Sequence, residues 1–211
     1  VFRGMWTVGW FAREFGRDLQ EQAAAEGRPV EALLCDEAEA VPAGCEGLVT
    51  WPRWSPTLQE PWGAGTILGL RETHSRAHLF RSLLEGIALD LRHGLGVLEG
   101  ATGTKVREIR VGGGGSRSDV VVSILADVLD LPVLRPPSEE LAARGAALVA
   151  AVGSGLQPSM ARAVEAMVPE APRFTPDRGR AQVYASLYRD TYARGPTELR
   201  SLSRSLFDSL S

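Results

Sequence analysis

The stretch with the clearest chemical potential is Arg110-Val-Gly-Gly-Gly-Gly-Ser-Arg-Ser118. A short apolar run, Arg107-Glu-Ile-Arg-Val111, leads into four glycines. A helix signal then opens at Ser116 or Ser118, with Asp119 in its first turn. Glycine lets the main chain approach a ligand where any Cβ would collide. A helix start presents unpaired N–H groups and a partial positive charge, which suits phosphate or another anion. Ser116 and Ser118 add hydroxyl donors. A turn of this kind can equally be a packing device with no ligand. Two nucleotide motifs fail here. The G-x-G-x-x-G pattern needs glycine at 117 or 118, where Arg117 and Ser118 stand, and the Gly-Lys-Ser/Thr ending of a Walker loop is absent. A Rossmann oxidoreductase is therefore a distant alternative.

Other residues are weaker candidates. His74 and His78 lie four apart, as zinc ligands on one helix face would, but Ser75 stands where the metalloprotease pattern needs Glu. The better reading makes His78 and Glu85 structural, tying one helix to a neighbouring loop. Arg76 reads as a solvated surface charge. Trp51, Trp54 and Trp62 could stack on a sugar, but a packed loop burying large rings is the stronger expectation. Tyr184, Tyr188 and Tyr192 read as helix packing. Cys35 and Cys45 have no redox or nucleophile motif around them. No metal site and no catalytic acid or base can be assigned.

The elements that must position these residues follow from local pattern. Trp6 to Phe15 carries apolar residues suited to a largely buried helix, and Pro29 to Ala40 reads as a second one. Gly47 to Trp51 and Thr66 to Leu70 are short strands, separated by an ordered loop holding Pro52, Pro56 and Pro61. Ser75 caps the clearest helix, with Leu84, Ile87, Ala88, Leu91, Leu95 and Leu98 at helical spacing and Gly100 and Gly103 at its end. Val121, Ile124, Leu125 and Val128 share one face of the helix after the glycines. Pro132 to Leu134 is another strand. Ser138 caps a helix with Glu139 and Glu140 in its first turn. Ala142, Ala143, Gly145, Ala146 and Ala147 make that helix thin, so something should pack close to its backbone. Asp177 to Leu210 is helical, interrupted at Pro196. Alternating strands and helices predict an α/β sheet covered by helices.

Composition sets the class. The 211 residues carry 23 basic and 26 acidic side chains, a formal net charge of -3, which leaves no basic footprint for nucleic acid and no polybasic membrane anchor. No apolar run approaches the roughly 18 residues of a membrane span. Two cysteines are too few for a disulfide scaffold or a structural zinc site. The expected compartment is the cytoplasm. The sequence opens at Val1, in helical pattern and without Met, as a fragment or trimmed chain would.

Several blocks in order carry a family resemblance. They are Val111-Gly-Gly-Gly-Gly-Ser-Arg-Ser-Asp119, Ile124-Leu-Ala-Asp127, Leu131-Pro-Val133, Glu140-Leu-Ala-Ala-Arg-Gly-Ala-Ala147 and Ala150-Ala-Val-Gly-Ser-Gly155. Upstream stand Gly65-Thr-Ile-Leu-Gly-Leu70, His74-Ser-Arg-Ala-His-Leu79 and Ser82-Leu-Leu-Glu-Gly-Ile-Ala88, with seven residues between Leu70 and His78. Together these resemble the C-terminal domain of the FGGY carbohydrate kinases, from roughly Trp6 to Leu206. Leu83, Asp119, Val121 and Ser123 depart from the residues usual at those places.

The resemblance implies a ribonuclease H-like, actin-like ATPase fold, a mixed sheet flanked by helices, with the first strands of the domain missing. It makes residues 1–211 the ATP-side half of a sugar or polyol kinase that uses ATP and Mg2+. The sugar would be bound mainly by an N-terminal domain that is absent here. Carried over by position, Gly113, Gly114, Gly115 and Ser118 match the loop lining adenine and ribose, and Ala142, Gly145 and Ala146 match the thin helix beside it. The family's Asp-x-Gly-Thr phosphate loop and its mid-chain aspartate base have no counterpart, so this chain alone should be inactive. The alternative is a non-catalytic actin-like nucleotide-binding or assembly module. Missing strands would leave a sheet edge and an apolar face open, so the isolated chain is expected to associate, for instance as a homodimer.

Overall fold

A computed structural model describes residues 4–58, 60–137 and 140–210. The chain opens with three helices, α1 (Gly4–Phe15), α2 (Gln20–Glu26) and α3 (Val30–Glu39). Strands β1 (Val49–Trp51) and β2 (Thr66–Leu68) pair antiparallel, with Thr50 opposite Ile67. Helix α4 (Arg76–Thr102) follows, then β3 (Ile109–Arg110), α5 (Asp119–Leu129) and β4 (Val133–Leu134). The remainder is α6 (Leu141–Gly153), α7 (Met160–Met167), β5 (Arg173–Phe174), α8 (Arg178–Asp190) and α9 (Gly195–Leu210). β4 is the centre of a second sheet, parallel to β3 and antiparallel to β5. The expected α/β architecture is present, but as two small sheets among helices rather than one covered sheet.

Helix α4 is the spine. Its Ser75 cap forms a reciprocal box with His78, and Gly103 ends it in the left-handed region at φ 66°. Phe80 to Leu89 is buried on every side, because α1, α3, α5 and β1 all pack on this one stretch. β1 lies so close that a Cβ on Gly86 would stand 2.2 Å from the Thr50 carbonyl oxygen. Beside that contact the hydroxyls of Thr50 and Ser82 are 2.9 Å apart.

A polar cluster sits inside this core. Glu85 is 2 % exposed, and its Oε1 accepts from Arg81 Nε (2.8 Å), Tyr184 Oη (2.7 Å) and the Gly44 N–H (3.2 Å). Arg81 also donates to the Ala38 carbonyl oxygen (3.0 Å) and the Tyr184 hydroxyl (3.2 Å). Burial raises the Glu85 carboxyl above its ordinary range, and Arg81 and its other donors oppose that shift. Burial also raises the Tyr184 phenol and the Cys45 thiol. The loop that meets Glu85 runs left-handed over four residues, Gly44, Cys45, Glu46 and Gly47, with φ of 81°, 47°, 53° and 92°.

Several expectations change. Arg76 is not a solvated charge: it donates to Glu37 Oε2 (3.1 Å), to Asp18 Oδ1 (2.5 Å) and to the Phe15 carbonyl oxygen (3.1 Å), which ties α4 to α1 and α3. Trp6 and Phe15 are 48 % and 46 % exposed, so α1 is buried on one side only. Gly100 lies within α4. Pro196 falls in the first turn of α9, where its missing N–H costs no helix bond, and the break lies before it at Thr191–Arg194. Ser138 and Glu139 lie outside the described residues, and Glu140 occupies the cap position rather than the first turn of α6. α6 is thin, yet Ala142, Ala143, Gly145, Ala146 and Ala147 are exposed. Only Ala151 is buried, and a Cβ on Gly145 would meet open space.

Two outcomes are expected. Gly86→Ala forces the β1–α4 contact apart and lowers unfolding free energy by about 3 kcal/mol, measured by urea denaturation. Among the described residues the outer edge of β3 has no neighbouring strand, and Leu91, Val97 and Leu98 stand 41 %, 63 % and 54 % exposed on α4. The 211-residue chain by itself should therefore associate. Analytical ultracentrifugation showing a single monomeric species at micromolar concentration would refute that.

Candidate functional site

The glycine run turns the chain from β3 into α5, and its four members have different reasons to be glycine. A Cβ on Gly112 would lie 2.0 Å from Leu141 Cδ1, at the start of α6. Gly113 has φ 88° and ψ 179°, a conformation open in practice to glycine alone. A Cβ on Gly115 would lie 2.8 Å from the Met5 sulfur. Gly114 has neither constraint: a Cβ there would meet nothing within 4 Å. It is the bare member of the run.

Residues Gly114–Arg117 form a single 3-10 turn, and α5 begins at Asp119. Ser116 closes the turn on itself, with both its N–H (3.0 Å) and its hydroxyl (2.8 Å) donating to the Gly113 carbonyl oxygen. In a trans peptide the next N–H points the opposite way, so the Gly114 N–H is directed out of the turn. The Ser118 hydroxyl accepts from the Val121 N–H at 3.4 Å and caps α5.

A cavity of about 420 Å³ opens beside the turn. Gly112, Gly114, Gly115 and Ser116 form one wall. Ile87, Ala88 and Leu91 of α4 and Val121, Val122 and Leu125 of α5 form the others, with Gly4 and Met5 of α1 and Val111 at the rim. No charged side chain is among these lining residues. The size is that of a site for a drug-sized molecule, and the walls suit a flat apolar ring.

Of the turn residues singled out from sequence, Gly114, Gly115 and Ser116 line this cavity. Gly113 sets the turn without lining it, and Ser118 is spent on the helix cap. Ala142, Gly145 and Ala146 lie on the exposed α6 and do not line it. Sequence reasoning missed the α4 and α5 walls, whose apolar spacing reads as ordinary core, and Met5, which no motif marks.

The other candidates have structural partners. His74 Nδ1 accepts from the Arg71 N–H (3.0 Å) and His78 Nδ1 from the Ser75 N–H (3.2 Å). Trp51 stacks on Tyr192 at 5.3 Å and donates to its carbonyl oxygen (3.1 Å). Trp54 packs on Trp10, and Arg204 lies over the Trp62 ring. Tyr192 donates to the Gly86 carbonyl oxygen (3.1 Å), and the Tyr188 hydroxyl lies 3.1 Å from His93 Nδ1. Asp127, 2 % exposed, accepts from the Asp177 N–H (2.7 Å) and from Arg180 (2.5 Å), fixing the start of α8. Burial raises the Cys35 thiol. Among the described residues no three His, Cys, Asp or Glu side chains gather in one place, and no carboxylate lines the cavity to hold a magnesium ion. No described helix is long and apolar enough to cross a membrane.

Comparison with known proteins adds the following. Residues 6–154 match the FGGY family of carbohydrate kinases, C-terminal domain. The chain is 35% identical over 187 residues to an uncharacterized sugar kinase, YgcE, of Escherichia coli, covering 89% of this chain and 38% of that protein. Its fold matches the xylulose kinase of Rhodospirillum rubrum with a TM-score of 0.74 and 37% identity, over 93% of this chain and 38% of that one. A Plasmodium falciparum glycerol kinase solved with ADP shares the fold at a TM-score of 0.70 and 19% identity, over 90% of this chain and 37% of that one. The chain thus spans a little over a third of these relatives.

Adjacent glycines of the turn should respond in opposite directions. Gly113→Ala lowers stability by about 1–3 kcal/mol, because its backbone conformation excludes a side chain. Gly114→Ala raises stability by about 0.5 kcal/mol, because it restricts the unfolded chain and meets no atom in the folded one. Denaturation midpoints of the two variants test this.

Proposed function

The chain belongs to the FGGY family of carbohydrate kinases, and from that premise we propose that it is the adenosine-binding part of a kinase that phosphorylates a sugar or polyol with ATP. The bare backbone at Gly114, beside an apolar cavity of about 420 Å³, carries this reading. An adenine ring can lie against main chain there, with Ile87, Val121 and Leu125 around it. The outward Gly114 N–H offers a donor to the sugar or phosphate part of the nucleotide. When bound, ATP supplies the phosphoryl group that such kinases transfer. Gly113 and Ser116 keep the turn in shape, and Ser118 aims α5. We take the domain to be ribonuclease H-like and the protein to be cytoplasmic.

No titratable side chain lines the cavity, so nothing beside it can take a proton from a sugar hydroxyl. Acceptor binding, the base and any magnesium ion are assigned to other parts of the protein, of the length that the relatives have and this chain does not span. The same observation favours a second reading, a non-catalytic nucleotide-binding module.

Calorimetric titration of the full-length protein with ADP tests the site. We expect saturable binding that Gly114→Val weakens at least about tenfold, or 1.4 kcal/mol, because the added methyls enter the cavity. The melting temperature of that variant should stay close to the parent's. Binding unchanged in Gly114→Val would place the nucleotide elsewhere. Sugar-dependent ADP release separates the kinase from the non-catalytic module.

A further inference from the structure

Arg135 follows β4 and reaches back to the glycine turn. Its Nη1 donates to the carbonyl oxygens of Ser116 (3.1 Å) and Arg117 (3.2 Å) and to Asp119 Oδ1 (2.6 Å). One guanidinium holds the last two residues of the 3-10 turn, Ser116 and Arg117, and the first residue of α5, Asp119. The guanidinium is itself held. It lies 5.0 Å over the Phe174 ring of β5, and the Arg135 N–H donates to the Pro172 carbonyl oxygen at 3.0 Å. Pro172 and Phe174 lie beyond residues 6–154, the stretch that matches the family.

We propose that Arg135, seated on Phe174, is a positioning residue that sets the glycine turn for nucleotide. This rests on the reading of that turn as the nucleotide seat. The physical argument concerns peptide orientation. Two carbonyls fixed toward Arg135 fix the N–H groups of Arg117 and Ser118 away from it, because each trans peptide directs its C=O and N–H oppositely. The Ser116 hydroxyl fixes the other end of the turn through the Gly113 carbonyl oxygen. With both ends tied, the glycine backbone does not have to be ordered when a ligand arrives, and the binding free energy is not spent on ordering it. Without Arg135, the turn loses the side-chain tie on the carbonyls of Ser116 and Arg117, in a segment whose glycines have wide backbone freedom. Phe174 matters because a guanidinium lying on a ring is held in one plane, which lysine cannot reproduce.

The test uses the full-length protein, with ADP titrated by calorimetry and with kinetics at varied ATP. Arg135→Gln should weaken ADP about tenfold and raise KM for ATP by a similar factor with kcat nearly unchanged, the pattern of lost uniform binding. Arg135→Lys should recover part of the affinity. Phe174→Leu, which leaves every turn residue in place, should weaken ADP in the same direction and serves if Arg135→Gln does not fold. ADP affinity within twofold of the parent in both Arg135→Gln and Phe174→Leu, with Gly114→Val still weakened, would overturn the positioning role alone. No ADP binding by the unsubstituted protein would overturn the nucleotide seat, and this inference with it.

Discussion

The Glu85 carboxylate is where three separate parts of the chain are made to meet. Its Oε1 takes donors from α4 itself, from Tyr184 on α8 and from the main chain of the loop before β1. A carboxylate buried to this degree is costly unless its charge is matched, and Arg81 one helical turn away supplies the match. Removing either partner would leave an uncompensated charge in the core. The geometry therefore resists change, and α4 is fixed in both position and rotation. Ile87 and Ala88, two and three residues further along the same helix, become a rigid wall of the cavity for that reason.

The glycine turn obeys a different constraint. Four identical residues stand in a row, and Gly114 is the one with neither a close neighbour nor a backbone angle that requires glycine. Gly112 yields to Leu141, Gly115 yields to Met5, and Gly113 is required by its own backbone angles. A glycine run is thus a set of separate steric solutions. Gly114 and Gly115 both line the cavity, but only at Gly114 could a side chain be added without meeting Met5.

Much of this was legible in the sequence where local rules act. Ser75 and Ser118 as caps, the strand before the glycines and the apolar stripe of α5 all follow from spacing and side-chain chemistry. The structural roles of His78 and Glu85 and the packing of Trp51 and Tyr192 also follow from residue type. What failed depended on distant neighbours. Arg76 read as solvated because Glu37 and Asp18 lie 39 and 58 positions away in sequence. The resemblance matches Ser118, Ala142, Gly145 and Ala146 by position, and these residues do not line the cavity. The left-handed loop at Gly44–Gly47 gave no signal beyond its two glycines, because Cys45 and Glu46 are residue types that rarely adopt that region.

The chemistry of the cavity also constrains how work is divided within the protein. Its lining is main chain and hydrocarbon, which favours the neutral, flat part of a nucleotide and gives nothing to a triphosphate beyond a few N–H groups. Phosphoryl transfer needs the opposite: fixed positive charge around the moving phosphoryl group and a base at the acceptor oxygen. Both requirements cannot be met on one apolar wall, since a buried unpaired charge there would be expelled or neutralised. On the proposed function, a surface that grips the purine and a surface that handles the charge are therefore different parts of the polypeptide. On this reading the rigidity of the turn, tied at one end by Ser116 and at the other by Arg135, is what lets the first part present the phosphates to the second at a fixed place.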